Sequence, residues 1–263
     1  MLKRTGFKSV VPDGWPVLPK VASERKRLVV TDPNVLVCGR NTLVWRSPDQ
    51  GFFYKLYYGR GRVSWLREHL FGFKVEREFC SLSFLESENI PCSAPVFWSK
   101  FSHDEYSSRC ELLVTREVPL AVSLDVYLTQ DTPFANKLEL AEKVGRLLSR
   151  MHEKGFYHGA LYTRNLLVSV CDGEPAPVLI DVDMSVVFNR PINFSLLARF
   201  DLFCLLSQAV RSYNSDLWIR TVLRTYGYCD KESATLAKKV RSYQIKTFKK
   251  DLYRTLSRFK MVI

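Results

Sequence analysis

The 263-residue chain has no Cys-x-x-Cys pair, no disulfide-like cysteine pattern and no long uncharged apolar run. Its seven cysteines are odd in number and scattered, which argues against a disulfide framework and a zinc site and favours reduced thiols in a cytosol. The first residues lack the apolar segment of a signal peptide. No stretch approaches the roughly 20 apolar residues of a membrane-spanning helix. We therefore expect a cytoplasmic protein, soluble or peripheral to a membrane.

Acidic residues are also scarce. There are 27 Asp and Glu against 39 Lys and Arg, which gives a formal net charge of +12 and a pI of about 9.4. Such an excess serves solubility, or it indicates an anionic partner such as nucleic acid, acidic lipid or a phosphorylated sugar. No dedicated nucleic-acid motif accompanies the charge, so nucleic acid is not the partner we expect.

A β-rich first part and a helical second part are indicated by the residue patterns. The strand predictions are Val35–Cys38, Thr42–Trp45, Phe52–Tyr58, Leu112–Thr115, Leu166–Val170 and Pro177–Ile180. The helix predictions are Ser64 to about Glu88, Pro133–Lys154, Phe194–Val210, Asp216–Tyr226 and a basic Lys231–Phe259. A proline-containing lead-in, Met1–Lys20, precedes them. At this length the chain forms one two-lobed unit or two small domains.

The stretch from Met151 to Ser185 carries the most chemistry. Gly155 ends a helix, and a polar loop containing His158 and Asn165 follows. Asp181 comes directly after the apolar run 178–180. A carboxylate at the end of a buried strand is costly unless a cation meets it. Magnesium bound to phosphate would satisfy it, because Mg²⁺ uses only one or two protein oxygens.

These residues resemble the catalytic loop and metal motif of the protein-kinase-like fold. His158-Gly159-x-Leu161-x-x-x-Asn165 followed by Asp181-Val182-Asp183 is most similar to the lipopolysaccharide kinases of the Kdo/WaaP/InaA type in Gram-negative bacteria, whose pattern is H-G-D-L-x-x-x-N and then I-D-F-D. The resemblance implies an α+β, two-lobed fold, with a small β-rich N-lobe at 1–118 and a larger helical C-lobe at 119–263. It also implies ATP and Mg²⁺ as cofactors, with Asn165 and Asp181 as metal ligands.

The sequence departs from that pattern at Ala160, which stands where the family has its general-base aspartate. Alanine cannot accept a proton from an attacking hydroxyl. Asp183 and Tyr162 are alternative proton acceptors. Ala160 is either natural variation, as among InaA-type members, or a substitution made to trap a complex.

The resemblance assigns further nucleotide contacts in the first part of the chain. Gly39 would cover the phosphates in a turn, although hairpin geometry alone explains such a glycine. Lys55 would meet the phosphates; the alternative is a solvent-facing lysine on an edge strand. Glu78, rather than Glu76, would be the ion-pair partner of Lys55. The alternative for either glutamate is an ordinary surface acid.

The same resemblance places the hinge that meets adenine at Glu117 and Val118. Asp201 is the candidate brace of the catalytic loop, and a surface acid is the alternative. We interpret His152 as a satisfied structural histidine and His158 as a scaffold of the loop.

The function implied is ATP-dependent phosphorylation of a heptose or Kdo sugar in the lipopolysaccharide core, at the cytoplasmic face of the inner membrane. The implied partners are the core oligosaccharide or lipid A–core acceptor and the anionic membrane surface. The alternative is a pseudokinase that binds nucleotide or serves as a scaffold in envelope biogenesis or stress response, since Ala160 removes the base.

Overall fold

The computed structural model of the chain describes residues 21–24, 27–30, 34–39, 41–47, 51–58, 73–103, 107–171 and 173–242. The expected lead-in Met1–Lys20, the helical residues predicted before 73 and the basic segment predicted after 242 lie outside these ranges. The chain divides into two units. The first holds the described residues up to Cys80 together with Ala94–Glu117, and the second holds Ser81–Ser93 and the described residues from Val118 onward.

The first unit is built on a five-stranded antiparallel sheet of strand order β3-β4-β5-β7-β6. The strands are β3 Val35–Cys38, β4 Thr42–Ser47, β5 Phe52–Tyr58, β6 Pro95–His103 and β7 Ser107–Arg116. A separate hairpin pairs β1 Val21–Glu24 with β2 Arg27–Val30. Aromatic and branched residues suit a half-buried pleated surface, and Trp45 stacks on its cross-strand partner Tyr54 with ring centroids 5.2 Å apart.

Helix α1, Lys74–Ser87, lies between β5 and β6 in the sequence. Its first turn is tied to β7, because the buried carboxylate of Glu111 accepts a hydrogen bond of 3.0 Å from the backbone N–H of Val75. The first N–H groups of a helix have no partner within the helix, and a carboxylate also interacts favourably with the helix dipole there. This contact therefore fixes where α1 starts.

The second unit is mainly helical. Its helices are α2 Leu124–Thr129, α3 Phe134–Glu153, α4 Leu196–Ser212, α5 Asp216–Tyr226 and α6 Asp230–Ser242. Gly145 lets α3 approach α5 closely, since a Cβ there would lie 2.6 Å from the carbonyl oxygen of Val222. The α3 residues at helical spacing, among them Leu140, Val144 and Leu148, are completely buried.

Two small sheets complete the second unit and carry its loops. The strand β8 Ala121–Ser123 pairs with β10 Leu166–Cys171, which in turn pairs with β11 Glu174–Leu179. The strand β9 Phe156–Tyr157 pairs with β12 Val186–Val187. Among the described residues, no helix combines the length and apolar character needed to cross a bilayer.

Most predicted elements are present, with shifted ends. The helix predicted at Phe194–Val210 begins only at Leu196. Phe194 has a left-handed backbone with φ of 61°, and the Ser195 side chain accepts a hydrogen bond from Ala198, which caps the helix. The strand predicted at Pro177–Ile180 is longer at its start and stops before Ile180.

Candidate active site

Lys55 and Glu78 form an ion pair within the first unit. Lys55 Nζ donates to Glu78 Oε1 at 2.8 Å, and the hydroxyl of Tyr57 donates to Oε2 at 3.0 Å. The Glu78 side chain is 2% exposed, so its charge depends on these donors. Lys55 keeps 18% of its side chain accessible. The pair fixes a partly accessible ammonium group beside the sheet.

Glu76, the alternative partner, points elsewhere. Its carboxylate is 44% exposed and lies 3.8 Å from Lys100 Nζ. An exposed pair of this length contributes little to stability. Of the two glutamates, it is Glu78 that the structure pairs with Lys55.

The turn at Gly39 is tied to the neighbouring strands. Its backbone N–H donates to the Thr42 carbonyl at 2.8 Å, and its carbonyl accepts from the Tyr58 hydroxyl at 2.8 Å. The side chain of Asn41 donates to the Tyr58 carbonyl at 3.0 Å. Since the Gly39 N–H is already used, a phosphate would have to approach this backbone without that donor.

The predicted hinge begins where β7 ends. The Glu117 carboxylate accepts a hydrogen bond of 2.9 Å from Arg46 Nε, and its backbone N–H donates to the Gly51 carbonyl at 2.7 Å. Glu117 can therefore offer adenine its carbonyl oxygen but not its N–H. At Val118 the chain returns to the second unit.

The loop at 158–165 is held by Asp201, a completely buried residue of α4. Its two carboxylate oxygens accept hydrogen bonds from the backbone N–H of His158 at 2.8 Å and of Gly159 at 3.0 Å. His152 Nε2 lies 3.3 Å from Asp201 Oδ2, and His152 Nδ1 lies 2.9 Å from the hydroxyl of Tyr226. His152 is thus buried between two partners, and Asp201 is not a surface acid.

Gln208, which the sequence patterns did not single out, holds the other part of the loop. Its side-chain oxygen accepts from the Thr163 N–H at 3.1 Å and from the Thr163 hydroxyl at 3.2 Å. Gln208 follows Asp201 by seven residues, and residues two helical turns apart share a face. That spacing is the signal by which the sequence could have identified it. One face of α4 therefore fixes the loop at two points.

Asn165 and Asp181 are brought to the same end of one hairpin. Asn165 immediately precedes β10, Asp181 comes two residues after β11, and the hairpin pairs Leu166 with Leu179. The N–H of Ile180 donates to the Asn165 carbonyl at 3.0 Å, which extends the pairing to the residue next to Asp181. Asp181 has a left-handed backbone with φ of 56°, a conformation in which Asp is enriched but which is uncommon for side-chain-bearing residues.

These two residues fit magnesium. The Asn165 side-chain N–H donates to the Ala160 carbonyl at 2.9 Å, which leaves its Oδ1 as the ligand atom. Among the described residues, no cluster of three His, Cys, Asp or Glu side chains could hold a metal. Magnesium does not require one, because it binds through one or two protein oxygens together with phosphates and water.

Ala160 occupies a well-fixed position. Its carbonyl accepts from Asn165 and from the N–H of Tyr162 at 2.9 Å. The loop therefore keeps a defined backbone without a carboxylate at this residue. Of the two alternative acceptors, Tyr162 packs its ring against Phe200 and Cys204, and Asp183 lies in the turn after Asp181.

Gly159 is required by its backbone and by its surroundings. Its φ is 78°, and a Cβ would lie 2.5 Å from the Met184 carbonyl oxygen. Gly173 has a similar φ of 82° but has nothing within 4 Å of its Cβ position. Gly173→Ala should lower the free energy of unfolding by about 1–2 kcal/mol for backbone strain alone. Gly159→Ala should lower the free energy of unfolding, measured by urea denaturation, clearly more than Gly173→Ala does. Equal losses would contradict a steric clash between the added Cβ and the Met184 carbonyl.

Complete burial lowers the pKa of the His158 ring, and this outweighs the opposing effects of Asp201 and Asp181. The unfolded chain protonates this histidine as the pH falls through its ordinary value of 6.5, whereas the folded chain resists protonation. Stability that is present above pH 6.5 should therefore be lost as the pH falls below that value. Urea denaturation from about pH 7.5 to about pH 5.5 should show this loss. His158→Asn should show a shallower loss, and an equal slope in both proteins would contradict the assignment.

The fold of this chain is similar to that of a solved kinase-like structure. A solved structure of WaaP in complex with acyl carrier protein matches with a TM-score of 0.58 at 19% identity, over 86% of this chain and 90% of that one. At that identity the likeness concerns the fold. Together with the β-rich first unit and the helical second unit, it shows a protein-kinase-like fold and confirms the fold class predicted from the sequence.

The sequence identifies the family. The model of the lipopolysaccharide kinase (Kdo/WaaP) family matches residues 40–191, more than half of the chain, so the chain belongs to that family. A curated relative, the EKC/KEOPS complex subunit Tp53rkb of Mus musculus, is 27% identical over 154 residues. That match covers 56% of this chain and 60% of the relative. A kinase family implies ATP as phosphoryl donor and a divalent metal.

Proposed function

We propose that this protein transfers the γ-phosphoryl group of ATP to a hydroxyl of a lipopolysaccharide core sugar, heptose or Kdo, at the cytoplasmic face of the inner membrane. The observation that carries the proposal is the β10–β11 hairpin. In a chain of this family, it brings Asn165 and Asp181 to one end, beside a loop that α4 fixes. The acceptor is the core oligosaccharide or lipid A–core, and the net charge of +12 favours the anionic membrane surface.

Each proposed role follows from the contacts of the residue. Lys55 binds phosphate oxygens through its accessible ammonium group, and Glu78 holds that group in place. Asn165 and Asp181 hold Mg²⁺ through oxygen atoms. When bound, ATP would supply the phosphoryl group and Mg²⁺ would neutralise the negative charge of the phosphates.

The remaining proposed nucleotide contacts are made by backbone. The Glu117 carbonyl and the Val118 backbone meet adenine. The turn at Gly39 covers the phosphates by close approach, since its own N–H is used within the hairpin. These contacts need no particular side chain, so the sequence pattern identifies them only through the resemblance.

Phosphoryl transfer depends mainly on positioning and charge stabilisation, with little covalent chemistry from the protein. General-base catalysis typically contributes about 10²–10⁴-fold. Ala160 therefore predicts a slow reaction that keeps nucleotide binding. The loop that positions the acceptor remains ordered through Asp201 and Gln208.

A pseudokinase is the second candidate, and Ala160 is the observation that favours it. The protein would then bind Mg-ATP without turnover and serve within an assembly during envelope biogenesis or stress response. The match to Tp53rkb, a subunit of the EKC/KEOPS complex, is consistent with a role of that kind.

Nucleotide binding provides the first test. Lys55→Ala and Asp181→Ala should each abolish the increase in melting temperature that Mg-ATP produces, because each removes a charge that the bound complex needs. Lys100→Ala and Asp216→Ala remove the same charges at residues with no proposed nucleotide contact, the first partly buried and the second exposed, and should leave the increase unchanged. An undiminished increase in both Lys55→Ala and Asp181→Ala would refute the ATP-site assignment.

Turnover separates the two candidates. The measurement is transfer of labelled phosphate from ATP to dephosphorylated core oligosaccharide. Incorporation above the protein-free reaction supports the kinase. Mg-ATP binding without any incorporation supports the pseudokinase.

A further inference from the structure

Arg164 is an exposed cation in an otherwise buried part of the loop. It lies in the short 3₁₀ turn Thr163–Asn165, between two residues whose side chains are buried. Both neighbours are fixed: Thr163 by Gln208 and Asn165 by the Ala160 carbonyl. The backbone at Arg164 is therefore rigid. Its side chain starts from a fixed position, next to the proposed metal ligand Asn165 and four residues after Ala160.

The Tyr162 ring orients the Arg164 side chain. The guanidinium carbon lies 5.2 Å from the ring centroid. The ring itself packs against Phe200 and Cys204 of α4, so it is a fixed support. A cation–π contact of this kind gives the guanidinium no hydrogen-bond acceptor, and its N–H donors lie in its own plane. Those donors stay available to another group.

Within the described ranges, Arg164 has no carboxylate partner. Some exposed arginines are paired with a carboxylate: Arg46 with Glu117 at 2.9 Å, Arg146 with Glu142 at 3.4 Å and Arg224 with Asp230 at 3.5 Å. Exposed pairs are weak, yet they show that carboxylates are placed near many of the cations. No carboxylate of the described part of the chain forms an ion pair with Arg164.

We propose that Arg164 binds an oxyanion of the acceptor, a phosphate or a sugar carboxylate, and so selects an acidic sugar as the substrate. This inference rests on the proposed function and deepens it. The guanidinium fork matches both oxyanions in a bidentate manner. An anion held there fixes the acceptor beside the loop residues 160–165, while Asn165 serves the metal. Arg164 is thus a specificity-determining residue.

The experiment measures binding of core oligosaccharide to the full chain by calorimetry, in the presence of Mg²⁺ and a non-hydrolysable ATP analogue. Two probes are used: the phosphorylated oligosaccharide and the same oligosaccharide after phosphatase treatment. Arg164→Ala should weaken binding of the phosphorylated probe about tenfold or more, because charge-assisted hydrogen bonds are lost. The affinity of Arg164→Lys should lie between those of the wild type and Arg164→Ala, since lysine keeps the charge but lacks the forked pair of N–H donors. Arg146→Ala removes an equal charge from α3 and should bind as the wild type does.

The two probes identify the oxyanion. If Arg164 contacts phosphate, phosphatase treatment should lower wild-type affinity to that of Arg164→Ala. If it contacts a carboxylate, the wild type should keep its advantage on the treated probe. Equal affinity of wild type and Arg164→Ala for both probes overturns the inference, and so does a wild type that binds neither.

A separate readout distinguishes this failure from failure of the proposed function. The Mg-ATP increase in melting temperature should be the same in Arg164→Ala as in the wild type, because Arg164 serves the acceptor. Absence of that increase in the wild type refutes the proposed function itself. An increase that is lost in Arg164→Ala shows a structural or nucleotide role and overturns the inference.

Discussion

Ala160→Asp is expected to raise phosphoryl transfer to core sugar by about 10²–10⁴-fold, the usual contribution of a general base. Ala160 is held by hydrogen bonds to its carbonyl from Tyr162 and Asn165, both at 2.9 Å. Neither bond involves the side chain, so a longer side chain can be introduced without removing them. Under the proposed function, Asn165 and Asp181 already hold the metal, and the missing part is the proton acceptor alone.

Under the proposed function, the new carboxylate should be ionised at neutral pH, because a metal held by Asn165 and Asp181 would favour the charged form of an acid beside it. Ala160→Asn is the matched control: it has nearly the same shape but cannot accept the proton. A gain in rate with aspartate and none with asparagine identifies base catalysis. A normal response to Mg-ATP without any gain from aspartate would refute the kinase interpretation of the loop and favour the pseudokinase.

Asp201→Ala is expected to cost the second unit about 3–5 kcal/mol, the range found when one partner of a buried charged network is removed. The substitution leaves the buried N–H group of His158 and the partly buried N–H group of Gly159 without an acceptor. An unsatisfied buried donor costs about 1–3 kcal/mol. The same two bonds set the start of the loop. Asp201→Ala should therefore also abolish phosphoryl transfer, both in the wild-type background and in Ala160→Asp.

Denaturation by urea, followed by circular dichroism, measures the loss. Asp201→Asn keeps one acceptor oxygen and should be intermediate, because its amide N–H₂ faces a donor. Asp216→Ala removes an acid that is half exposed and paired with Arg220 and Arg241 at 3.9 and 3.7 Å, and it should cost at most about 1 kcal/mol. Equal stability of Asp201→Ala and Asp216→Ala would show that Asp201 does not brace the loop.

Local signals explain which elements could be predicted. The bounds of β3, β5 and α5 match the prediction, since turn residues bound the strands and Gly227 ends the helix with φ of 125°. The start of α4 was missed although a local signal marks it: Ser195 accepts a hydrogen bond from the Ala198 N–H, and serine is a preferred N-cap residue.

The site shows the same limit. The motif spacing predicts Asn165 and Asp181 as metal ligands, and the hairpin between them accounts for their common position at one end of β10 and β11. Glu111 and Gln208 bond to residues 36 and 45 positions away, which no short-range pattern encodes. Tyr57 is an intermediate case. It lies two residues after Lys55, and side chains at that spacing share one face of a strand. Its contact with Glu78 could therefore have been predicted from the sequence.

The β10–β11 hairpin also determines where this chain can change length. Its strands pair residue for residue from Leu166–Leu179 to Cys171–Glu174. At about 3.3 Å per residue, the far turn lies roughly 20 Å from Asn165. Residues inserted between Cys171 and Glu174, even a grafted peptide, would leave the metal end in register. One residue deleted from β10 would exchange its inward and outward side chains and separate Asn165 from Asp181. Insertions are therefore tolerated at the turn end of this hairpin, whereas a change of length within its strands disrupts the pairing.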